Sequence, residues 1–183
     1  SFRRRSPETP DNVTQRPRRE PEAPEAPVAL DDAGTALLAL IPEVLADFEV
    51  DMSAALDEVV VTVRPEDVPD ICRMAKEDPR LDLDYLRCLS VVDREDRLEV
   101  VYHLFSLEKR HRLVVKTFVP PDEPHVPSVV PIWRGADWFE REGHDLYGVV
   151  FQGHPDLAPL LLYEGFEGYP GRRSFPLHDY DEW

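Results

Sequence analysis

The sequence predicts an α+β domain, a small mixed or antiparallel sheet with helices packed on one face, plus an extended C-terminal segment. Three observations carry this. Short runs rich in β-branched residues recur between Glu58 and Val119. Two runs with helical apolar spacing flank the first of them. Prolines then crowd the chain from Pro120 onward. A strand, a helix and three further strands make a sheet with its helices on one side.

Residues 1–30 hold six of the 19 prolines and few large apolar side chains beyond Phe2, Val13, Val28 and Leu30. Such a stretch cannot bury enough surface to offset its ordering entropy, so it is expected as an arm, disordered unless bound by a partner. Six arginines against three acids give residues 1–20 a charge of +3, which leaves -19 of the total of -16 on the rest. An acidic body does not seek nucleic acid or anionic lipid. The two cysteines, Cys72 and Cys88, are too few for a thiolate zinc site or an iron–sulfur cluster. With no apolar leader, they suit a reducing, cytoplasmic compartment. No apolar run approaches the roughly 20 residues that span a bilayer, so membrane contact is expected only through a partner. The chain starts at Ser1 rather than Met, which leaves processing or a longer parent chain open.

The core domain is expected over residues 31–119. Asp31-Asp32 caps a helix carrying Leu37, Leu38, Ile41, Val44, Leu45 and Phe48, which Pro42 is expected to divide in two. Glu58–Val63 is a strand. A helix from Pro65 places Val68, Ile71, Cys72 and Ala75 on one stripe, which makes Cys72 a core residue. Strands Tyr85–Asp93, Leu98–Leu107 and Arg112–Val119 are joined by short polar turns and form an antiparallel meander. His103 falls in the second of these strands, His111 at the start of the third and His125 in the proline stretch, where structural roles are expected.

Residues 120–183 form a proline strap, a motif helix and a segment that contacts partners. Pro120, Pro121, Pro124, Pro127 and Pro131 make the strap extended and irregular. Gly135 to Leu146 reads as a helix, and Gly143 within it costs about 1 kcal/mol relative to Ala, which points to close approach of another backbone or a break. On this helix Glu140 and His144, and Arg141 and Asp145, are spaced i, i+4, while Glu142 and Asp145 are i, i+3. Exposed, such pairs contribute only about 0.3–0.5 kcal/mol each, too little to explain so many charges beside Trp138, Phe139 and Tyr147.

An enzyme reading would use His144, His154, Glu140 and Asp156 as metal ligands or acid–base groups. No recognised ligand spacing, P-loop, GxGxxG or serine elbow supports it. His154-Pro155-Asp156 is equally a turn, with Asp156 capping the apolar Leu157–Leu162 run.

From Tyr85 to Leu177 the chain resembles the thirty-kilodalton subunit, also called the C subunit, of NADH:quinone oxidoreductase, respiratory complex I. The residues that carry the likeness are Glu99–Leu104, Val126-Pro127-Ser128-Val129, Trp138–Glu142, Asp145-Leu146-Tyr147-Gly148, Phe151–Leu157 and Phe166-Glu167-Gly168-Tyr169-Pro170. The chain departs from the family at Gly143-His144, at Ala158 and at Gly171-Arg172-Arg173-Ser174. Its end at Trp183 implies no longer partner-wrapping tail. The resemblance implies a peripheral-arm subunit without a catalytic site or cofactor of its own, on the cytoplasmic side of the membrane. It would pack on the large D subunit that forms the quinone site, near the iron–sulfur subunits. Iron–sulfur clusters, FMN and quinone would belong to partner chains. Glu140, Arg141, Glu142, Asp145, Tyr147, His154, Pro155, Asp156, Arg172 and Arg173 are then the expected interface and motif-locking residues. The arginines are the candidates for interfacial charge pairs, because the guanidinium tolerates planar, partly buried pairing. A membrane-bound hydrogenase or ferredoxin-fed relative would use a similar subunit, and a stand-alone metal enzyme is the reading from another class.

Overall fold

The computed structural model describes residues 30–176. The arm expected over residues 1–30 therefore lies outside the described residues, Leu30 excepted, as do residues 177–183. Asp31 caps α1 (Asp32–Val44), its carboxylate accepting the Gly34 amide at 2.7 Å. Pro42 does not divide this helix. It sits in the last turn, where one lost hydrogen bond is tolerated because Leu37, Ile41 and Val44 stay buried along one stripe.

Two short strands follow, β1 (Asp51–Ala55) and β2 (Glu58–Thr62), paired antiparallel. The sequence reading misses β1, since almost all of it is exposed and it lacks an apolar alternation. Its hairpin turn places both Leu56 and Asp57 at positive φ, 51° and 61°, the twist that two-residue hairpins require. Pro65–Asp67 is a 3-10 turn rather than the start of the helix proper. The stripe Val68, Ile71, Cys72 and Ala75 then buries along α2 (Val68–Glu77), as its spacing predicts.

The meander forms as β3 (Tyr85–Asp93), β4 (Leu98–Phe105) and β5 (Arg112–Val119), antiparallel throughout. β4 stops short of Leu107, which is exposed in the turn to β5. Because β5 also pairs parallel with β2, the five strands run in the order β1-β2-β5-β4-β3, a mixed sheet. Leu89, Val91, Val100, Tyr102, Leu113, Val115 and Val59 share one cluster with α1, α2 and Ala136, so the helices cover one face. Val60, Val101 and Val114 form a separate cluster on the other.

The proline stretch is not wholly irregular. β6 (His125–Pro127) pairs parallel with β7 (Val150–Gln152), so the two ends of the motif helix α3 (Ala136–Tyr147) are joined by a small second sheet. Pro127 is tolerated there because a terminal strand position makes few demands on its missing amide. His103 faces Glu58 at 3.5 Å and buried His111 meets the Leu81 carbonyl at 3.2 Å, both structural positions.

Candidate subunit interface around the third helix

α3 ends at Gly148, whose φ of 74° lets its amide close on the His144 carbonyl at 2.8 Å. Gly143 leaves the helix unbroken. A Cβ there would lie 2.9 Å from Val91 Cγ2 and 3.2 Å from Phe151 Cε2, so side chains of the two sheets, rather than a second backbone, require the small residue.

None of the charge pairs expected along α3 forms; Glu140, Arg141 and Asp145 each reach off the helix instead. Glu140 is fully buried, Oε2 accepting from Ser128 Oγ at 2.6 Å and Oε1 from the Val129 amide at 2.7 Å. Burial pushes its carboxyl up to about 7, against those two hydrogen bonds and with a smaller push from Asp137. Arg141 donates from Nε to the Ala158 carbonyl at 3.0 Å and from Nη2 to that of Pro159 at 2.9 Å. Asp145 Oδ2 accepts the amides of Leu160, Leu161 and Leu162 at 3.2, 2.7 and 2.8 Å. Burial alone would raise its carboxyl, but these three donors outweigh it and hold the group below its ordinary value.

Two side chains one helical turn apart thus grip five successive backbone groups of residues 158–162. Those amides are held by Asp145, so the apolar Leu157–Leu162 run is not helical and Asp156 does not cap it. Farther along, Arg172 Nε donates to the Tyr147 carbonyl at 2.7 Å and its guanidinium lies over the Tyr169 ring. Tyr169 covers Gly148 and Tyr147 covers Gly171, interlocking helix and tail. Arg173 holds Glu95 at 2.6 Å through its side chain and Asp93 at 2.9 Å through its amide. Arg141, Arg172 and Arg173 are therefore engaged within the chain.

His154 Nδ1 accepts the Asp156 amide at 3.0 Å, which puts its hydrogen on Nε2, 3.3 Å from the Asp137 carbonyl. His144 Nδ1 meets the Val149 carbonyl at 2.9 Å. Glu140, His144, His154 and Asp156 are not brought together, and no group of three His, Cys, Asp or Glu side chains is placed to hold a metal among the described residues. Cys72 is in the core and Cys88 half-buried on β3, both free, a donor set that does not fit an iron–sulfur cluster. Glu142 and Pro155 are exposed, Glu142 beside a groove of about 240 Å³ between α3 and β3.

Glu140, Arg141 and Asp145 turn inward, while this end of the molecule also presents apolar rings and chains outward: Trp138, Leu161 and Tyr163 are 68%, 60% and 72% exposed. Ser128, Asp137 and Tyr169 also belong to the site; in the sequence Ser128 and Tyr169 stand out only as residues that carry the family likeness and Asp137 not at all, because their partners are distant along the chain.

Fold and site define a class: an α+β domain whose motif helix uses its charges to hold an extended C-terminal segment. The chain belongs to the respiratory-chain NADH dehydrogenase 30 kDa subunit family, whose family model matches residues 61–181. That span reaches back through α2 to β2, beyond the stretch whose likeness is legible by eye. It is 42% identical over 134 residues to the second C-type subunit of NADH-quinone oxidoreductase from Rhizobium meliloti, covering 72% of this chain and 73% of that protein. The corresponding subunit from Roseiflexus castenholzii is 42% identical over 144 residues, covering 77% and 83%. Among solved structures, a trypsin-resistant fragment of Nqo5 superposes with TM-score 0.54 at 28% identity, over 66% of this chain and 98% of the fragment. A chain of the membrane-bound sulfane sulfur reductase, an archaeal respiratory membrane complex, superposes with TM-score 0.64 at 25% identity, over 79% and 94%.

Proposed function

We propose that this chain is the thirty-kilodalton subunit of a complex I-type NADH:quinone oxidoreductase, a peripheral-arm component that itself carries no redox centre. In this reading it packs on the large quinone-site subunit and neighbouring iron–sulfur subunits, on the cytoplasmic side of the membrane. It supports electron transfer to quinone coupled to proton translocation, while FMN, iron–sulfur clusters and quinone are held by partner chains. No helix among the described residues is long and apolar enough to cross a membrane; in this reading membrane contact comes through the assembly.

The observation that carries the reading is the family match combined with the disposition of α3. Glu140, Arg141 and Asp145 are satisfied within the chain, and the exposed Trp138, Leu161 and Tyr163 are the kind of side chains that make a buried interface core. Co-purification of the full chain with its neighbouring subunits tests it. Trp138→Asp with Tyr163→Asp should lower recovery of the assembled peripheral arm while the isolated chain keeps its fold; unchanged recovery sinks the interface. Expressed alone, the chain should show no iron or flavin spectrum and no NADH oxidation, and either signal would refute the absence of a redox centre.

A second reading is the equivalent subunit of a related membrane-bound complex with another electron donor, hydrogenase-like or ferredoxin-fed. The superposition on the sulfane sulfur reductase chain supports it. Assaying the purified complex with NADH and with reduced ferredoxin separates the two.

A further inference from the structure

Glu140 is a fully buried carboxyl that faces no cation among the described residues. Several groups surround it. Ser128 Oγ and the Val129 amide meet its oxygens; the Cys72 thiol of α2 and the Tyr102 hydroxyl of β4 feel its charge; Asp137 repels it from one turn earlier on α3. Among the described residues the Tyr102 hydroxyl is itself buried without a hydrogen-bond partner, and none of them on that side offsets a negative charge. An unpaired ion in such surroundings is costly, and the neutral acid is favoured.

The heavy-atom geometry accepts that acid, with only a turn of the Ser128 hydroxyl, which no longer donates to Oε2. Ser128 Oγ already accepts the Val130 amide at 3.2 Å, and its remaining lone pair can take the proton of a neutral Glu140 while Oε1 keeps the Val129 amide. Both charge states therefore fit one set of partners, and they differ in how strongly they hold residues 128–130 to α3. The same helix carries Arg141 and Asp145, which hold residues 158–162.

We propose that Glu140 is a proton-operated fastener: protonated, it seats residues 128–130 on α3, and loss of the proton loosens that seam together with the C-terminal segment that α3 holds. The consequence for partner binding rests on the reading of that segment as an interface, but the seam itself is a property of this chain alone. The carboxyl is raised from 4.5 to about 7 in the closed state. Its contribution is therefore complete below about 4.5, falls as pH rises through 7, and is spent above that.

The test is amide hydrogen exchange of the full chain between pH 5 and 8, corrected for intrinsic rates, read at Val129 and Leu161. Opening should rise with pH by on the order of tenfold or more at both positions. Glu140→Gln, which cannot ionise, should flatten the rise while leaving His125, His144 and His154 in place. A flat wild-type profile at either amide, or a rise that survives in the Gln variant, overturns the proposal. Ser128→Ala guards against a Gln variant that fails to fold. It removes one donor to the carboxylate and should move the midpoint to higher pH, and a midpoint that stays or falls equally overturns it. Because no partner is present, failure here leaves the interface reading untouched, and failure of assembly leaves this one untouched.

Discussion

The carboxylate of Asp145 accepts the amide of Leu161, 16 residues away, at 2.7 Å, with the amides of Leu160 and Leu162 converging on the same oxygen. Three successive N–H groups on one anion form a small concave anion site, here filled by the protein's own side chain. Tyr163, the next residue, is 72% exposed.

Asp145→Ala should destabilise the protein by about 2 kcal/mol in denaturant titrations, since hydrogen bonds to a charged group are worth about 1.5–3 kcal/mol but do not add fully. Asp145→Asn keeps one acceptor and should fall between wild type and Ala. Limited proteolysis of the Ala variant should cut first within residues 157–176. Because its carboxyl is held low, this contribution is present above about 3.8 and is lost as pH falls below it.

Glu99 is 3% exposed on the open face of the sheet, bridged by Arg94 at 2.6 Å and Lys116 at 3.0 Å. Burial would raise its carboxyl, but the hydrogen bonds from Lys116 and Arg94 outweigh this and lower it. Its contribution is thus present above about 4.5 and lost as pH falls. Lys116→Met should cost about 2 kcal/mol, discounted from buried pairs because Arg94 remains and both cations are partly exposed. Circular dichroism during acid titration should show unfolding moved to higher pH.

Gly143→Ala ought to stabilise a helix by about 1 kcal/mol from propensity alone. The Cβ would lie 2.9 Å from a stiff Val91 methyl, and overpacking of that kind costs about 1–3 kcal/mol. A net loss of about 1 kcal/mol is expected, and adding Val91→Ala should bring a coupling energy of opposite sign in a double-mutant cycle.

Gly148 and Gly153 both have positive φ, 74° and 82°, but only Gly148 lies beneath a ring, with Tyr169 Cζ 2.5 Å from where a Cβ would stand. Gly153→Ala should cost about 1 kcal/mol, the conformational term. Gly148→Ala should cost clearly more and displace Tyr169, visible as a change in near-ultraviolet circular dichroism. Equal costs would show that the interlock of helix and tail contributes nothing.

Local chemistry determined much of this protein before any tertiary contact is considered. The Val68, Ile71, Cys72, Ala75 stripe, the alternation of β5 and the Asp31 cap follow from residue period and hydrogen-bonding type alone, and the motif residues carry the family. What the sequence left undecided is every partnership across distance. Arg141 and Asp145 stand at the ideal spacing for an ion pair, yet each meets backbone 15 to 18 residues onward, because the partly buried peptide groups of a non-helical segment need partners and a surface pair offers little in exchange. β1 is set by the free edge of β2, and Glu140 is set by its depth beneath the strap. Spacing tells which side chains can meet along one element, whereas burial, which only the assembled fold creates, decides which of them do.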